Sequence, residues 1–303
     1  DHLKRRTAVS EELAPDKLIV EAARKCILRY GENPHQAGAL YATGDVGFGA
    51  SQLVQGKPLS FTNLLDLDAA ARLVREFVEP AAVVMKHMNP CGAATAPTIG
   101  AAYLSARDVD PLSAFGGIVG LNRQIEAETA TAIISTFIEA VVAPNADEAA
   151  IAILREKKNL RLVLADCSSE SADLRLTREV RSILGGILVQ DYDRVTEAGS
   201  LWDGQIRDAE GAAGLRVVTK RRPSDSEWAA LRLAWRVSAH VKSNAIVFAV
   251  ADRLVAIGAG QMSRVDAVRV AVMKATQPLL DTVAASDAFF PFRDGLDEIA
   301  SAG

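Results

Sequence analysis

Ala81-Ala82-Val83-Val84-Met85-Lys86-His87-Met88-Asn89-Pro90-Cys91-Gly92, residues 81–92, is the stretch that decides the architecture. Its first five residues form an apolar run of strand length with no polar alternation, which predicts a central strand covered on both faces. The run stops abruptly at Lys86-His87, and strand ends are where α/β folds tend to place ligands. Upstream, Asp66 to Val78 carries helical spacing, with Leu67, Ala70, Ala71 and Val74 on one face and Arg72, Arg75 and Glu76 off it. Downstream, Ala93 to Arg107 reads as a helix and Ile118-Val119-Gly120-Leu121 as the next short strand. This strand–helix rhythm predicts a layered α/β fold.

Further out, residues 15–28 read as a helix or strand leading into a polar turn at Arg29–Gln36. Between Asp191 and Gly214 large apolar residues are scarce, which predicts a solvated connection between lobes. Ser224 to Val241 reads as a helix with Ser224 as N-cap, Glu227 three residues later, and Leu231, Ala234, Trp235 and Ala239 on its buried face. Ala245–Ala249 and Val255–Ile257 read as two adjacent strands. Val84–Asn89 is echoed by His240–Asn244, and Ser113–Gly116 by Asp287–Phe290, at offsets of 156 and 174 residues. A duplicated unit with insertions and chance similarity both fit that echo.

Composition narrows the class. The 303 residues are 49% hydrophobic and 24% charged with a net charge of −4, which excludes a disordered chain and argues against a nucleic-acid coat protein. Aromatic residues make up only 5%, so close helix–sheet packing through Ala and Val is expected. No apolar stretch reaches the roughly 18 residues of a membrane span, and no apolar segment follows the basic start, so neither membrane nor signal peptide is expected. Cys26, Cys91 and Cys167 lack CxxC pairing, which fits a reducing, cytoplasmic compartment. The opening Asp suggests a start inside a longer polypeptide.

Several motifs fail on inspection. Gly49 to Lys57 ends in Gly-Lys, but Pro58 stands where a phosphate loop needs Ser or Thr. Gly258-Ala259-Gly260 lacks the third glycine of a dinucleotide fingerprint. Pro90-Cys91 begins a zinc-deaminase signature, yet Ala94 replaces the second cysteine and Met88-Asn89 follows His87, so no catalytic metal is indicated.

Four polar clusters survive. Arg29, Tyr30 and His35 lie in Arg29–Gln36 and suit a phosphate or carboxylate, or simply cap a turn. Lys86 beside His87 places a cation next to a group titrating near neutrality, which favours the proton-accepting imidazole; a surface Lys and a structural His are the alternative. His240–Asn244 with Gly258–Asp266 offers Asn244 and Arg264 as donors beside flexible glycines. Phe289, Phe290 and Phe292 around Pro291 are either core or a slot for a flat heterocycle flanked by carboxylates.

Taken in order, RYGENPHQ at 29–36, KHMNPCG at 86–92, DPLSAFGG at 110–117, VKSNAIV at 241–247, GAGQMSRVDA at 258–267 and ASDAFFPF at 285–292 resemble the AICAR transformylase part of the bifunctional AICAR transformylase/IMP cyclohydrolase family. The resemblance runs from about Arg29 to the C-terminus. It implies tandem cytidine-deaminase-like α/β/α units, both with Lys at a matching strand end. The implied division is a leader or inter-domain connection at 1–28, a first unit at 29–195, a connection at 196–214 and a second unit at 215–303 that stops short at its C-terminus. The family's N-terminal IMP cyclohydrolase domain and its C-terminal Arg-His-Phe motif are absent from the sequence.

The implied reaction moves a formyl group from 10-formyltetrahydrofolate, as cosubstrate, to the 5-amino group of AICAR. It gives FAICAR and tetrahydrofolate on the way to IMP. That amine is delocalised into the imidazole-carboxamide, so a base must take its proton and a donor must meet the developing oxyanion. By resemblance His87 is the base, Lys86 tunes it, and Asn244 meets the formyl oxygen. Arg29, Tyr30, His35, Gly116 and Glu139 fall at AICAR positions, and Phe289, Pro291 and Asp294 at the pterin pocket. The resemblance also implies a homodimer with shared active sites, partners limited to AICAR and reduced folate, and neither nucleic acid nor membrane. A ligand-binding module without chemistry and a deaminase-like hydrolase are the competing readings; metal analysis separates the second.

Overall fold

The structure, a computed structural model, describes residues 15–167, 178–193, 195–198, 202, 215 and 217–303. β1 (Ala23–Ile27) pairs antiparallel with β2 (Ala39–Ala42), so the start of the chain forms a strand ahead of the polar turn. A six-stranded mixed sheet follows: β3 (Gln52–Gln55), β4 (Ala81–Lys86), β5 (Asn89–Thr95), β6 (Gly117–Leu121), β7 (Ile138–Ala143) and β8 (Arg161–Leu164), in the order β3-β8-β7-β6-β4-β5. β9 (Arg178–Ile183) and β10 (Gly186–Asp191) form a separate hairpin. β11 (Ile246–Ala249), β12 (Leu254–Gly258) and β13 (Val283–Ser286) form an antiparallel sheet ordered β12-β11-β13.

Helices are α1 (Phe61–Val74), α2 (Ile99–Arg107), the short α3 (Pro111–Ala114), α4 (Ala127–Ile134), α5 (Glu148–Leu154), α6 (Asp225–Ser238), α7 (Arg264–Lys274) and α8 (Asp294–Ala302). α1 starts five residues before the stretch whose spacing predicts it. Its true start is set by Ser60, which accepts from the Asn63 N–H while Asn63 reaches back to the Ser60 N–H. α6 has the expected box of Ser224 and Glu227. Each such cap is worth about 1 kcal/mol.

β4 is the central strand its apolar run predicts. Val83 and Met85 pack into one core with α1 and α6, whereas Ala82 and Val84 pack into another with α2, α4 and α5. Alternation is the same in β11: Val247 joins the α1/α6 core, and Ile246 and Phe248 face α7 and α8. The result is three layers, α/β/α.

Two expectations are corrected. Residues 93–95 continue strand β5, and the helix begins only at Ile99, capped by Thr98. Small residues are needed in β5 because α2 crosses it closely: a Cβ on Gly92 would overlap the Ala106 carbonyl oxygen. The same overlap would arise between Gly258 of β12 and the Ala267 carbonyl of α7.

The second correction concerns the echo. The order helix, strand, strand, helix, strand, helix occurs twice, as α1-β4-β5-α2 to β6-α4 and as α6-β11-β12-α7-β13-α8. The equivalent caps Ser60 and Ser224 are 164 residues apart, so neither 156 nor 174 is the repeat. Lys86 closes β4, whereas Lys242 precedes β11 by four residues, so the two lysines do not hold matching strand positions. Asn89 and Lys242 meet because β5 and β12 run antiparallel, joined by the Ala94–Arg253 bridge and the Thr95 N–H to Asp252 carbonyl bond at 2.8 Å. That junction brings the start of one repeat's first strand beside the end of the other's.

The predicted connection at 196–214 lies largely outside the described residues. Within it, Ala198 and Trp202 are buried against Trp228 of α6 and are not solvated.

Candidate active site

Lys86 and Asn89 pair across the β4–β5 hairpin, leaving His87 and Met88 as a two-residue turn with φ of 51° and 60°. Two successive positive φ values mark a turn that normally takes Asn-Gly or Gly-Gly. Non-glycine residues there cost about 1–2 kcal/mol each. The turn leaves the His87 ring exposed.

Lys86 Nζ donates to the carbonyls of Phe115 at 3.2 Å and Gly116 at 2.9 Å. Gly116 has φ 68°, and a Cβ there would come within 3.3 Å of Lys86 Nζ, so glycine serves both the backbone and the approach of the ammonium. Its N–H donates to Phe137 O at 2.7 Å. Phe115 and Phe137 lie exposed beside it, with ring centroids 5.2 Å apart.

Asp66, on the second turn of α1, accepts the Met88 N–H at 2.6 Å. Burial raises its carboxyl above the ordinary Asp value; the Met88 N–H opposes the rise, as do the His87 and Lys86 charges, while Glu139 adds to it. Glu139 of β7 receives Asn63 Nδ2 at 2.9 Å and Arg161 Nη1 at 3.3 Å, both on Oε1. Among the described residues its Oε2 has no partner, and its side chain is 40% exposed while that of Arg161 is 7%.

Asn89 Oδ1 accepts the Lys242 N–H at 3.1 Å, tying this hairpin to the second repeat. Two residues on, Asn244 donates from Nδ2 to the Gln261 carbonyl at 2.8 Å, which leaves its second amide proton for a ligand. Asp287 anchors this segment. It accepts from the Ser243 hydroxyl, from Ala245 N–H at 2.7 Å and from Arg264 Nη1 at 2.6 Å. Burial alone would raise its carboxyl, but these three donors outweigh it and hold the group below the ordinary value.

Arg29 and Tyr30 are set beside the start of α1 by two backbone bonds, Arg29 N–H to Leu59 O at 3.0 Å and Phe61 N–H to Tyr30 O at 3.1 Å. The exposed Arg29 guanidinium lies 5.3 Å from the Tyr30 ring centroid. His35 sits in an exposed turn closed by Gly31 and Gln36, apart from the Lys86 cluster.

The phenylalanine motif divides between core and surface. Phe290 turns inward against Gly295 and Arg264, whereas Phe289, Pro291 and Phe292 are exposed. Asp294 opens α8 and accepts the Gly295 N–H at 2.8 Å. None of Phe289, Pro291 and Asp294 makes a described contact with Lys86 or His87.

Asn63, Asp66 and Arg161 escape the reading of the sequence. Starting the helix at Ser60 would have exposed the Asn63–Asp66 spacing on one face. Arg161 carries no local signal, because it reaches Glu139 only through the β7–β8 register. Cys91 donates to the Val84 carbonyl at 3.4 Å, and burial pushes its thiol up to about 12, so it is no nucleophile. Among the described residues no group of three or more His, Cys, Asp and Glu is placed to hold a metal ion, and no helix is long and apolar enough to cross a membrane.

Comparison with known proteins gives one consistent result. The profile described as AICARFT/IMPCHase bienzyme matches residues 2–274. The bifunctional purine biosynthesis protein PurH of Sorangium cellulosum is 48% identical over 295 residues, covering 96% of this chain and 54% of that protein. PurH of Myxococcus xanthus is 47% identical, covering 98% and 56%, and PurH of Anaeromyxobacter dehalogenans is 50% identical, covering 91% and 52%. The chain thus spans about half the length of these relatives. With the profile over most of its length and relatives of this identity, the chain belongs to the AICARFT/IMPCHase bienzyme, or PurH, family.

Proposed function

We propose that this chain carries the formyl-transfer site of a cytoplasmic enzyme of purine biosynthesis, a phosphoribosylaminoimidazolecarboxamide formyltransferase acting on AICAR and 10-formyltetrahydrofolate. The observation that carries this reading is the convergence of the Lys86–His87 turn, Gly116 and Glu139 at one sheet end, with Asn89 bonded to the segment that bears Asn244.

The carboxamide N–H of AICAR donates to the open Oε2 of Glu139, and the phosphate meets Arg29 and Tyr30. The 5-amino nitrogen attacks the formyl carbon while His87 accepts its proton; the N10–formyl bond breaks, and N10 leaves protonated as tetrahydrofolate. Asn244 donates its free amide proton to the oxyanion. Lys86, held by two carbonyls, keeps a third N–H for the reacting centre. Phe289, Pro291 and Asp294 receive the pterin and make no described contact with this cluster, which fits a homodimer in which two chains complete each site. The β9–β10 ribbon supports a partner as well. It leaves Val180, Ile183, Ile187 and Leu188 exposed, and a lone two-stranded ribbon is marginal in water.

The twice-occurring helix–strand order supports tandem cytidine-deaminase-like units at about 29–195 and 215–303. The test is release of tetrahydrofolate by this chain with AICAR and 10-formyltetrahydrofolate, together with calorimetric titration of each ligand. Turnover lost in Lys86→Ala supports formyl transfer. Binding of both ligands without turnover favours a binding module instead.

A further inference from the structure

We propose that Asp66 is a positioning residue that holds the His87–Met88 turn in its left-handed conformation by accepting the Met88 N–H, and so fixes where the His87 ring stands. The consequence for turnover rests on the formyl-transfer reading; the consequence for the turn does not.

Three observations carry it. First, Met88 is not a residue that favours positive φ, and His87 tolerates it less readily than glycine, so two such residues in succession call for an outside restraint. In a two-residue hairpin the N–H groups of the turn have no partner in the ladder, yet that of Met88 meets Asp66 Oδ1 at 2.6 Å. Second, the carboxylate is set within the fold, and among the described residues it takes part in no salt bridge. Half-burying a carboxylate without a salt bridge is unfavourable unless it is hydrogen-bonded, so packing alone does not account for an Asp here.

Third, the other repeat supplies the control. Asp66 lies six residues after the cap Ser60, and the residue six after the cap Ser224 is Ala230, which is buried in α6. The helix position is thus served by alanine where no such turn must be held. The matching β11–β12 turn, Val250–Arg253, contains no positive φ. Its ends are closed instead by the Val250 N–H to the Arg253 carbonyl at 3.0 Å. The carboxylate and the strained turn occur together in one repeat and are missing together in the other.

The experiment compares Asp66→Ala, Asp66→Asn and the double variant Asp66→Ala/Met88→Gly with the parent chain. One readout is hydrogen exchange at the Met88 amide by NMR, which needs no substrate; the other is kcat and KM for AICAR in formyl transfer. Asp66→Ala is expected to speed Met88 exchange by about tenfold or more. It should lower kcat by roughly ten- to a hundredfold with KM within about threefold, since a misplaced group costs rate more than binding. Asp66→Asn keeps an acceptor oxygen and should stay within about threefold on both readouts. Glycine at 88 removes the steric cost of the turn, so the double variant should regain about fivefold or more of the lost kcat.

Unchanged Met88 exchange in Asp66→Ala overturns the proposal whatever the activity, and so does an Asn variant as impaired as the Ala one. If Asp66→Ala fails to fold, Asp66→Asn decides: near-parent exchange and kcat support the hydrogen bond, and loss of both overturns it. Absence of formyl transfer in the parent chain would count against the proposed reaction and leave the exchange result to judge the turn.

Discussion

The two repeats share their scaffold and differ in the polar residues they carry. Both start with a Ser-capped helix, both send a hairpin into the composite sheet, and both use a glycine where the next helix crosses the second strand. The first repeat ends its hairpin in Lys86-His87-Met88-Asn89, bonded to the half-buried Asp66 carboxylate; the second ends its hairpin in Val250-Ala251-Asp252-Arg253, and its helix has Ala230 six residues after the cap. The polar residues of the second repeat lie at the opposite end of its strands, around Asn244 and Asp287. The antiparallel β5–β12 junction carries these to the first repeat's hairpin, so one composite edge draws on both halves. A helix–strand order used twice thus brings two unlike polar clusters to one edge.

The largest predicted effect breaks the symmetry at the turns. His87→Ala should lower formyl transfer by about 10²–10⁴-fold, the range for loss of a general base. Asp252→Ala, on the other repeat's turn, should leave it within about twofold, because alanine keeps the carbonyl that Thr95 meets and only the exposed Asp252–Arg253 pair is lost. Equal losses in steady-state assays would remove the distinction. The next prediction sharpens the shared scaffold: Gly92→Ala and Gly258→Ala should each destabilise by about 1–3 kcal/mol or more through overpacking against a helix carbonyl. Denaturant unfolding checks this, and a cost at only one position would show that the helix crossings are not equivalent.

Phe289→Ala should weaken folate binding by about tenfold, the loss expected of an aromatic contact. AICAR affinity should hardly change, and separate calorimetric titrations read both. The smallest effects concern pH. Asp287 has a lowered carboxyl pKa, so its stabilising contribution is present above its unfolded value and is lost as pH falls through the folded value. Asp287→Asn should therefore be less stable than the parent near neutrality, with the gap closing in acid. Asp66 is raised, so its ionisation weakens the native state as pH rises through the folded value. Stability of Asp66→Asn relative to the parent should thus improve from acid to neutral pH. Melting curves across pH 3–7, which spans the ordinary Asp range, should show the two gaps moving in opposite senses.

Much of the fold was legible because strands β4, β6, β11 and β12 are apolar runs broken by sharp polar ends, and α6 carries a Ser-Glu box. β5 misled because Gly92-Ala93-Ala94 is small enough to look helical, when smallness there serves the approach of α2. The echo misled because Val84–Asn89 and His240–Asn244, which touch through Asn89 and Lys242, do not hold equivalent positions. Of the residues the motifs single out, Lys86 bonds to the Gly116 carbonyl, and Lys86, His87 and Glu139 all act on the Asp66 carboxyl. Asp66 and Arg161 were invisible because their partners lie 22 residues away in sequence and are brought in only by helix–sheet packing and strand register.

The central claim is that the first repeat's hairpin turn, not the second's, performs the chemistry. It is tested most directly by measuring tetrahydrofolate release at saturating AICAR and 10-formyltetrahydrofolate for the parent chain, His87→Ala and Asp252→Ala side by side. The account predicts turnover in the parent and in Asp252→Ala, and a loss of about a hundredfold or more in His87→Ala with AICAR still bound. Undiminished turnover in His87→Ala would contradict it.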